Sequence, residues 1–296
     1  MPAVSVILNC FNGEKYLKEA IDSVVNQSFT DWEIIFFDNC STDNSKNIFD
    51  CYKDSRLKYF SSKQNISLAM ARNLALKECI GEYIAFLDVD DVWFPKKLEK
   101  QLALFDSKDV GMSCSSYIKI NERNNTEEIC NIPNISNSKI VNELLIDYFI
   151  HISTFMFRSD VLGSNNLSFD NRFSIIEDFD FAIKMSLTTN CSSCSDILGS
   201  YRWHQNNYGY ITNYKLGEEF DLWINEEVNQ NLFSSYGGYN SLEKRAKWYK
   251  VVKNIYDGKK LSLLVNFLEY TFLQKLKILF ALVTPTIILK KLILRN

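Results

Sequence analysis

Three carboxylates stand together in Asp88-Val89-Asp90-Asp91, directly after the apolar run Tyr83-Ile84-Ala85-Phe86-Leu87. Such a run reads as a buried strand, and acids at its carboxyl end lie where open α/β sheets bind ligands. If the extended backbone continues through them, Asp88 and Asp90 point to one side, because strand side chains alternate. Carboxylates so placed can share a hard cation: Mg²⁺ or Mn²⁺ takes carboxylate oxygens and keeps positions for water and phosphate. Without a cation they repel and raise each other's pKa. The plainer alternative is a solvated acidic turn ahead of the helix that follows Pro95. A second acidic pair, Glu177-Asp178, opens a helical pattern carrying Phe181, Ala182, Met185 and Leu187. The helix dipole favours acids there, so that pair alone is compatible with a structural role. Arg202 and His204 fall on one side of an extended segment within residues 200–208.

The elements that must position these groups alternate in type. Val4–Leu8 reads as a strand, followed by the polar loop Asn9-Cys10-Phe11-Asn12-Gly13. Tyr16, Leu17, Ala20, Ile21, Val24 and Val25 then keep a helical period. Glu33–Phe37 is a second strand, ending in Asp38-Asn39-Cys40-Ser41-Thr42-Asp43, and Ile48, Phe49 and Tyr52 mark a helix. Leu57–Phe60 is a third strand. Leu68–Cys79 is a helix that Gly81 can stop, and Pro95 suits the first turn of a helix reaching Phe105. Strand–helix alternation implies parallel β-α-β units, with loops 9–13, 38–43 and 88–92 converging on one crevice. Neither Gly-x-Gly-x-x-Gly nor Gly-x-x-x-x-Gly-Lys occurs, which excludes the usual dinucleotide fingerprint and the P-loop. Beyond Asp106 the alternation weakens. Met112–Ile120 and His151–Arg158 read as strands, Asn121–Asn137 as a loop, Val141–Phe149 as a helix, and the chain beyond about residue 215 as helical.

A chain of 296 residues can bury a sizeable core, and a net charge of −3 argues against nucleic acid as a partner. Pro2–Leu8 is β-like and lacks the form of a secretory signal, so a cytoplasmic protein with reduced cysteines is expected. Cys191 and Cys194 form a lone C-x-x-C, and without a second pair they read as incidental rather than as a zinc site. No uncharged run reaches the about 18 residues of a spanning helix. Residues 261–294 are nevertheless mostly apolar, interrupted by Lys275, Lys277, Lys290 and Lys291, with Pro285 inside the longest uncharged run. This suits a basic amphipathic segment on the anionic inner leaflet of the cytoplasmic membrane. Packing on the main domain or on a second subunit, hence a homo-oligomer, is the alternative.

In chain order these pieces resemble the family 2 glycosyltransferases of the GT-A fold. Val4-Ser5-Val6-Ile7-Leu8-Asn9-Cys10-Phe11-Asn12 is similar to the family's opening strand and loop, and Gln27-Ser28-Phe29-Thr30-Asp31-Trp32-Glu33-Ile34 to its Q-S-x-x-D-x-E-I run. Ala71-Arg72-Asn73, Gly81–Asp91, Phe155–Arg158, Glu177-Asp178 and Tyr201-Arg202-x-His204 complete the pattern. The resemblance implies an α/β GT-A fold with a mostly parallel central sheet and a helical C-terminal extension. It implies a catalytic domain over 1–215, with a nucleotide-sugar half (1–106) and an acceptor half (107–215), followed by a helical region over 216–296. It also implies inverting transfer of one sugar, most simply from a UDP-sugar, to a hydroxyl of a glycan or lipid-linked acceptor in surface-glycan synthesis. Asp88, Asp90 and His204 would hold Mn²⁺ or Mg²⁺. Asn9, Phe11, Asp38, Asn39, Arg72, Asp88, Val89 and Arg202 would contact the nucleotide sugar, with Phe11 against the base and Asp38 or Asn39 accepting its imide N–H. Asp178 would be the general base, with Glu177 the alternative.

Some features depart from the family or point elsewhere. Many members carry Asp-Asp where this chain has Asp38-Asn39, which leaves the base identity open, and Cys10 replaces a small hydroxyl residue. Arg72 could instead pair on the surface, and His204 could be a packed histidine. Asp88-Val-Asp90-Asp91-Val92 also resembles the nucleophile loop of haloacid-dehalogenase phosphatases, although that loop follows the first strand of its core. A processive synthase would need Gln-x-x-Arg-Trp, and position 199 is Gly. A non-catalytic sugar-binding module would have no use for intact Asp88, Asp90 and Asp178.

Overall fold

The computed structural model describes residues 1–207, 215–257 and 272–283. Two strands, β1 (Val4–Cys10) and β2 (Trp32–Asp38), are buried at every residue. Strands covered on both faces are written as unbroken apolar runs rather than alternating ones. β3 (Leu57–Ser61) pairs parallel with β2, and β4 (Tyr83–Phe86) pairs parallel with β1 on its other side. The chain thus winds outward from β1 to β3 and returns past β1, which creates a topological switch point between β1 and β4. α1 (Leu17–Val25) packs Leu17, Ala20, Ile21 and Val24 over this half. α2 (Ser45–Asp50) and α3 (Leu68–Lys77) connect the following strands, and Ser67 caps α3 by accepting the Met70 N–H at 3.3 Å.

The second half of the sheet departs from the mostly parallel expectation. β5 (Val92–Trp93), β6 (Val110–Asn121), β7 (Thr126–Cys130), β8 (Met156–Arg158) and β9 (Asn190–Trp203) complete a sheet ordered β3-β2-β1-β4-β8-β6-β9-β5, with β7 on β6. β8 runs antiparallel to both β4 and β6, β7 to β6 and β5 to β9, whereas β9 is parallel to β6. The sheet is therefore mixed, because hairpin and return strands need no crossover helix. The expected loop at 121–137 contains β7, reached through a turn in which Asn125 takes φ 51°. The expected strand at 151–158 begins instead as a 3-10 turn, Ile152–Thr154, whose first free amide, Ser153 N–H, bonds His151 Nδ1 at 3.3 Å. Helices α4 (Lys97–Leu102), α5 (Val141–Ile146), α6 (Asp160–Asn165) and α7 (Glu177–Thr188) complete this half. The eight cysteines are free, including Cys191 and Cys194 on β9.

The chain divides into two compact units, Met1–Leu144 with Tyr148–His204, and Leu145–Asp147 with the residues from Gln205 onward. The second contains α8 (Leu216–Asn225), α9 (Glu227–Phe233), α10 (Tyr239–Tyr256) and α11 (Phe272–Val283). Trp223 packs against Phe233 and Phe220 stacks on Tyr249. Of the apolar tail, α11 buries Ile278 and Ala281 and exposes Leu276, Lys277 and Leu279. Residues 258–271 and 284–296, with Pro285, Lys290 and Lys291, lie outside the described residues. No helix among the described residues is long and apolar enough to cross a membrane.

One close approach holds the first half together. Ser5 Oγ donates to Glu33 Oε1 at 2.6 Å and accepts the Gly81 N–H at 2.8 Å. A Cβ on Gly81 would lie 2.6 Å from the backbone nitrogen of Ser5. Gly81→Ala is therefore expected to destabilise the protein by about 1–3 kcal/mol, read as a lower urea midpoint. An unchanged midpoint would contradict this packing.

Candidate active site

The loops after β1, β2 and β4 meet, as their polar composition predicts. Asn39 N–H donates to the Cys10 carbonyl at 2.7 Å. Gly13 N–H donates to Ser45 Oγ at 3.0 Å, Asn12 N–H to Ser41 Oγ at 2.9 Å, and Thr42 N–H to Asn12 Oδ1 at 2.8 Å. A Cβ on Gly13 would sit 2.6 Å from a Val89 methyl, so only glycine lets the first loop approach the acidic turn. Phe11, at the tip of that loop, is 51% exposed. Asn9 is buried, and its Nδ2 has no hydrogen-bond partner.

The residues after β2 bond to neighbouring protein groups. Asp38 Oδ1 accepts the Ser41 N–H and Oδ2 the Tyr59 hydroxyl, each at 2.8 Å. Asn39 Oδ1 accepts both Ser62 Oγ–H and the Ile66 N–H at 3.0 Å, while Nδ2 donates to the Ile66 carbonyl at 2.8 Å. Both lone pairs of that oxygen are taken. In this conformation the Asn39 side chain shapes the 62–66 loop.

The acidic residues do not lie on a strand. β4 stops at Phe86, and Asp91 N–H closes a turn on the Asp88 carbonyl at 3.0 Å. Strand alternation therefore does not orient Asp88 and Asp90. Ser153 ends the ladder there, since its Oγ accepts the Asp88 N–H at 3.1 Å. Asp88 Oδ1 pairs with Arg72 Nη2 at 3.1 Å, and Arg72 Nη1 pairs with Glu177 Oε1 at 2.9 Å. Arg72 is 2% exposed, which replaces the surface-pair reading. One guanidinium on α3 thus joins the acidic turn to the first residue of α7. Asp178, next on α7, accepts the Phe179 N–H at 2.7 Å and has the buried Tyr148 phenol beside it. Asp90 Oδ2 lies 3.0 Å from His204 Nε2, so this histidine faces a carboxylate rather than an apolar core.

Two other residues settle into supporting roles. Asp91 is buried; its carboxylate accepts the Ser153 hydroxyl and, at 3.0 Å, the Arg202 N–H, tying the 3-10 turn to the end of β9. Arg202 is held by protein groups. Its guanidinium donates to the Asp90 carbonyl at 2.9 Å and to Glu19 at 2.7 Å, and it lies 3.5 Å from Glu122. Ser153, Asp91, Tyr148 and Tyr16, whose ring stacks on His204, were not expected at the site. Only Asp91 carried a signal, as the third acid of its cluster.

The charges are unbalanced. Asp88, Glu177 and Asp178 gather around Arg72, with Asp90 and Asp91 close to Asp88, and burial pushes the nearby His151 down to about 4, leaving it neutral. Burial, with repulsion from Asp90, raises Asp88, and the same causes raise Asp91 well above the carboxylate range. Burial lifts Glu177 to about 7 and Asp178 to about 6, against the pull of Arg72. Glu177 Oε2 is also buried without a hydrogen-bond partner. Among the described residues no group of three or more His, Cys, Asp or Glu is arranged to hold a metal alone. Asp88 is turned to Arg72, which leaves Asp90 and His204 as a donor pair. An oxygen and an imidazole nitrogen beside excess negative charge fit Mn²⁺ or Mg²⁺, cations that bind through few protein ligands and fill the rest with phosphate and water.

Known proteins resemble this chain in sequence and in fold. The family model described as "Glycosyl transferase family 2" matches residues 5–163. Over 118 residues the chain is 40% identical to the "Putative teichuronic acid biosynthesis glycosyltransferase TuaG" of Bacillus subtilis, covering 39% of this chain and 47% of that one. Over 222 residues it is 28% identical to the "UDP-Glc:alpha-D-GlcNAc-diphosphoundecaprenol beta-1,3-glucosyltransferase WfgD" of Escherichia coli, covering 74% and 84%. The chain thus spans about half the length of TuaG. Among solved structures, residues 1–349 of S. aureus TarS in complex with UDP align with TM-score 0.59 at 21% identity, covering 99% of this chain and 90% of that one. The mannosyltransferase PcManGT from Pyrobaculum calidifontis, in complex with GDP-Man and Mn²⁺, aligns with TM-score 0.61 at 16% identity, covering 99% and 84%. At these identities the structural likeness establishes the fold, a GT-A-type α/β fold with a mixed sheet. With its acidic turn after the fourth strand rather than the first, and a family match over more than half its length, the chain belongs to glycosyl transferase family 2.

Proposed function

We propose that the protein is an inverting glycosyltransferase that moves one sugar from a nucleoside-diphosphate sugar, a UDP-sugar in the first instance, to a hydroxyl of a glycan or lipid-linked acceptor. The observation that carries this reading is the convergence through Arg72 of the acidic turn and the Glu177-Asp178 pair, groups some ninety residues apart in sequence. The UDP preference is supported by the name of WfgD and by the TarS complex with UDP-GlcNAc. Residues 1–215 form the catalytic region in this proposal, with 1–106 serving the donor and 107–215 the acceptor, and 216–296 form a helical extension.

Each residue then has a task. Phe11, exposed on its loop, stacks on the base, with Asn9, Asp38 and Val89 shaping the donor pocket around it. The donor diphosphate lies over the acidic turn beside Asp88. Held by Asp90 and His204, Mn²⁺ or Mg²⁺ would supply Lewis-acid neutralisation of the charge that develops on the leaving diphosphate. Asp178 accepts the proton of the acceptor hydroxyl as its oxygen bonds the anomeric carbon and the carbon–diphosphate oxygen bond breaks. A base held near 6 is largely ionised at neutral pH yet still basic enough to take that proton. Glu177 is anchored in the ion pair and keeps Arg72 oriented.

Asp178→Asn should lower transfer by about 10²–10⁴-fold while UDP binding persists. In the unaltered protein kcat/KM should rise with pH through an inflection near 6 and then level, because only the carboxylate form accepts a proton. Undiminished transfer in the variant, or a flat profile, would remove Asp178 as the base. We also propose that the segment 261–296 contacts an anionic leaflet, supported by Leu276 and Leu279 lying exposed beside Lys277 on α11. Removing 261–296 should abolish cosedimentation with vesicles containing phosphatidylglycerol. Equal sedimentation of both chains would refute the contact.

A further inference from the structure

Tyr16 falls in the apolar period of α1, yet it stands just before that helix and faces the site instead of the core. Its ring stacks on the His204 imidazole with centroids 5.1 Å apart and planes 21° apart. Its hydroxyl donates to Glu122 Oε2 at 2.7 Å, and Lys15 Nζ bonds the same oxygen at 3.0 Å. The Arg202 guanidinium lies 4.7 Å from the Tyr16 ring centre and is itself held by Glu19. The phenol is therefore fixed at its oxygen and along its ring.

The β6–β9 ladder ends at Asn121 and Trp203, so His204 is the first residue beyond the regular strand pairing. Two side chains hold its ring: Asp90, whose Oδ2 lies 3.0 Å from Nε2, and Tyr16 through the stack. An imidazole that must be ordered at the moment of binding costs affinity, whereas one already held does not.

We propose that Tyr16 is a positioning residue for metal binding: its ring holds the His204 imidazole against Asp90, so that the two present their donors together to one divalent cation. The proposal deepens the reading of Asp90 and His204 as the metal pair and rests on it. Groups that orient metal-ligating histidines are worth about 10–100-fold in metal affinity, and a stack that sets the ring's direction acts in the same way.

The test measures free Mn²⁺ by electron paramagnetic resonance while it is titrated into the full chain with saturating UDP. Tyr16→Ala, Tyr16→Phe and His204→Gln are compared with the unaltered protein, and UDP binding is measured separately without metal. Tyr16→Ala should weaken Mn²⁺ binding by about 10–100-fold and leave metal-free UDP binding unchanged. Tyr16→Phe, which keeps the ring, should stay close to the unaltered protein. In transfer assays the loss in Tyr16→Ala should appear as a raised Mn²⁺ requirement, with kcat recovered at saturating Mn²⁺. Native Mn²⁺ affinity in Tyr16→Ala together with a weakened His204→Gln would overturn the role of Tyr16 and leave the metal pair standing. Native affinity in His204→Gln would overturn both.

Discussion

A single buried guanidinium carries the organisation of this site. Arg72 reaches from α3 to Asp88 on the turn after β4 and to Glu177 at the start of α7. Removing a charge from water costs several kcal/mol unless its partners are close and well aligned. Arg72 meets that cost with two carboxylates, and they in turn tolerate burial because of Arg72. The consequence is geometric: whatever orients Arg72 also sets the distance between the acidic turn and Asp178. An arginine suits this place, since its planar fork addresses two acids along fixed directions while a lysine offers a point charge.

Around this pair the negative charge remains in excess, and the excess has chemical value. Burial holds Asp178 at about 6, which makes it a workable proton acceptor, and the Asp90 carboxylate beside the His204 imidazole is a receptive place for a cation. The neighbouring groups keep that imbalance in place. His151 is held neutral by burial, Asp91 is spent on Ser153 and the Arg202 backbone, and the Arg202 side chain is occupied by Glu19, Glu122 and the Asp90 carbonyl. Positive charge that might have settled the acids is thereby directed elsewhere.

Much of the first half was readable from residue order, for a physical reason. β1, β2 and β4 are covered on both faces, so they appear as apolar runs, and the polar loops between them could only gather at one sheet edge. The second half was less readable because its buried strands are rich in serine. Ser116 on β6 accepts the Ile132 N–H, while Ser192 and Ser193 on β9 accept the Asn137 and Ile135 N–H groups. Those hydroxyls strap the 132–137 segment to the sheet and satisfy its backbone N–H groups. Glu177, Asp178, Asp90 and His204 were legible as candidates, but their distances were not. The Arg72–Glu177 contact joins distant elements, and Tyr16 looked like another apolar helix position. Asn39 shows the converse: its type fitted base recognition, and only the 62–66 loop reveals that its oxygen is already engaged.

The most direct measurement is a double-mutant cycle on stability, with Arg72→Met, Glu177→Gln and both together, followed by urea denaturation. Groups in one buried ion-pair network are expected to couple by about 0.5–3 kcal/mol, so the double variant should be clearly less destabilised than the sum of the two single ones. Additive losses would mean that Arg72 and Glu177 do not meet in the folded protein, and the gathering of the acidic turn with Asp178 would have no foundation.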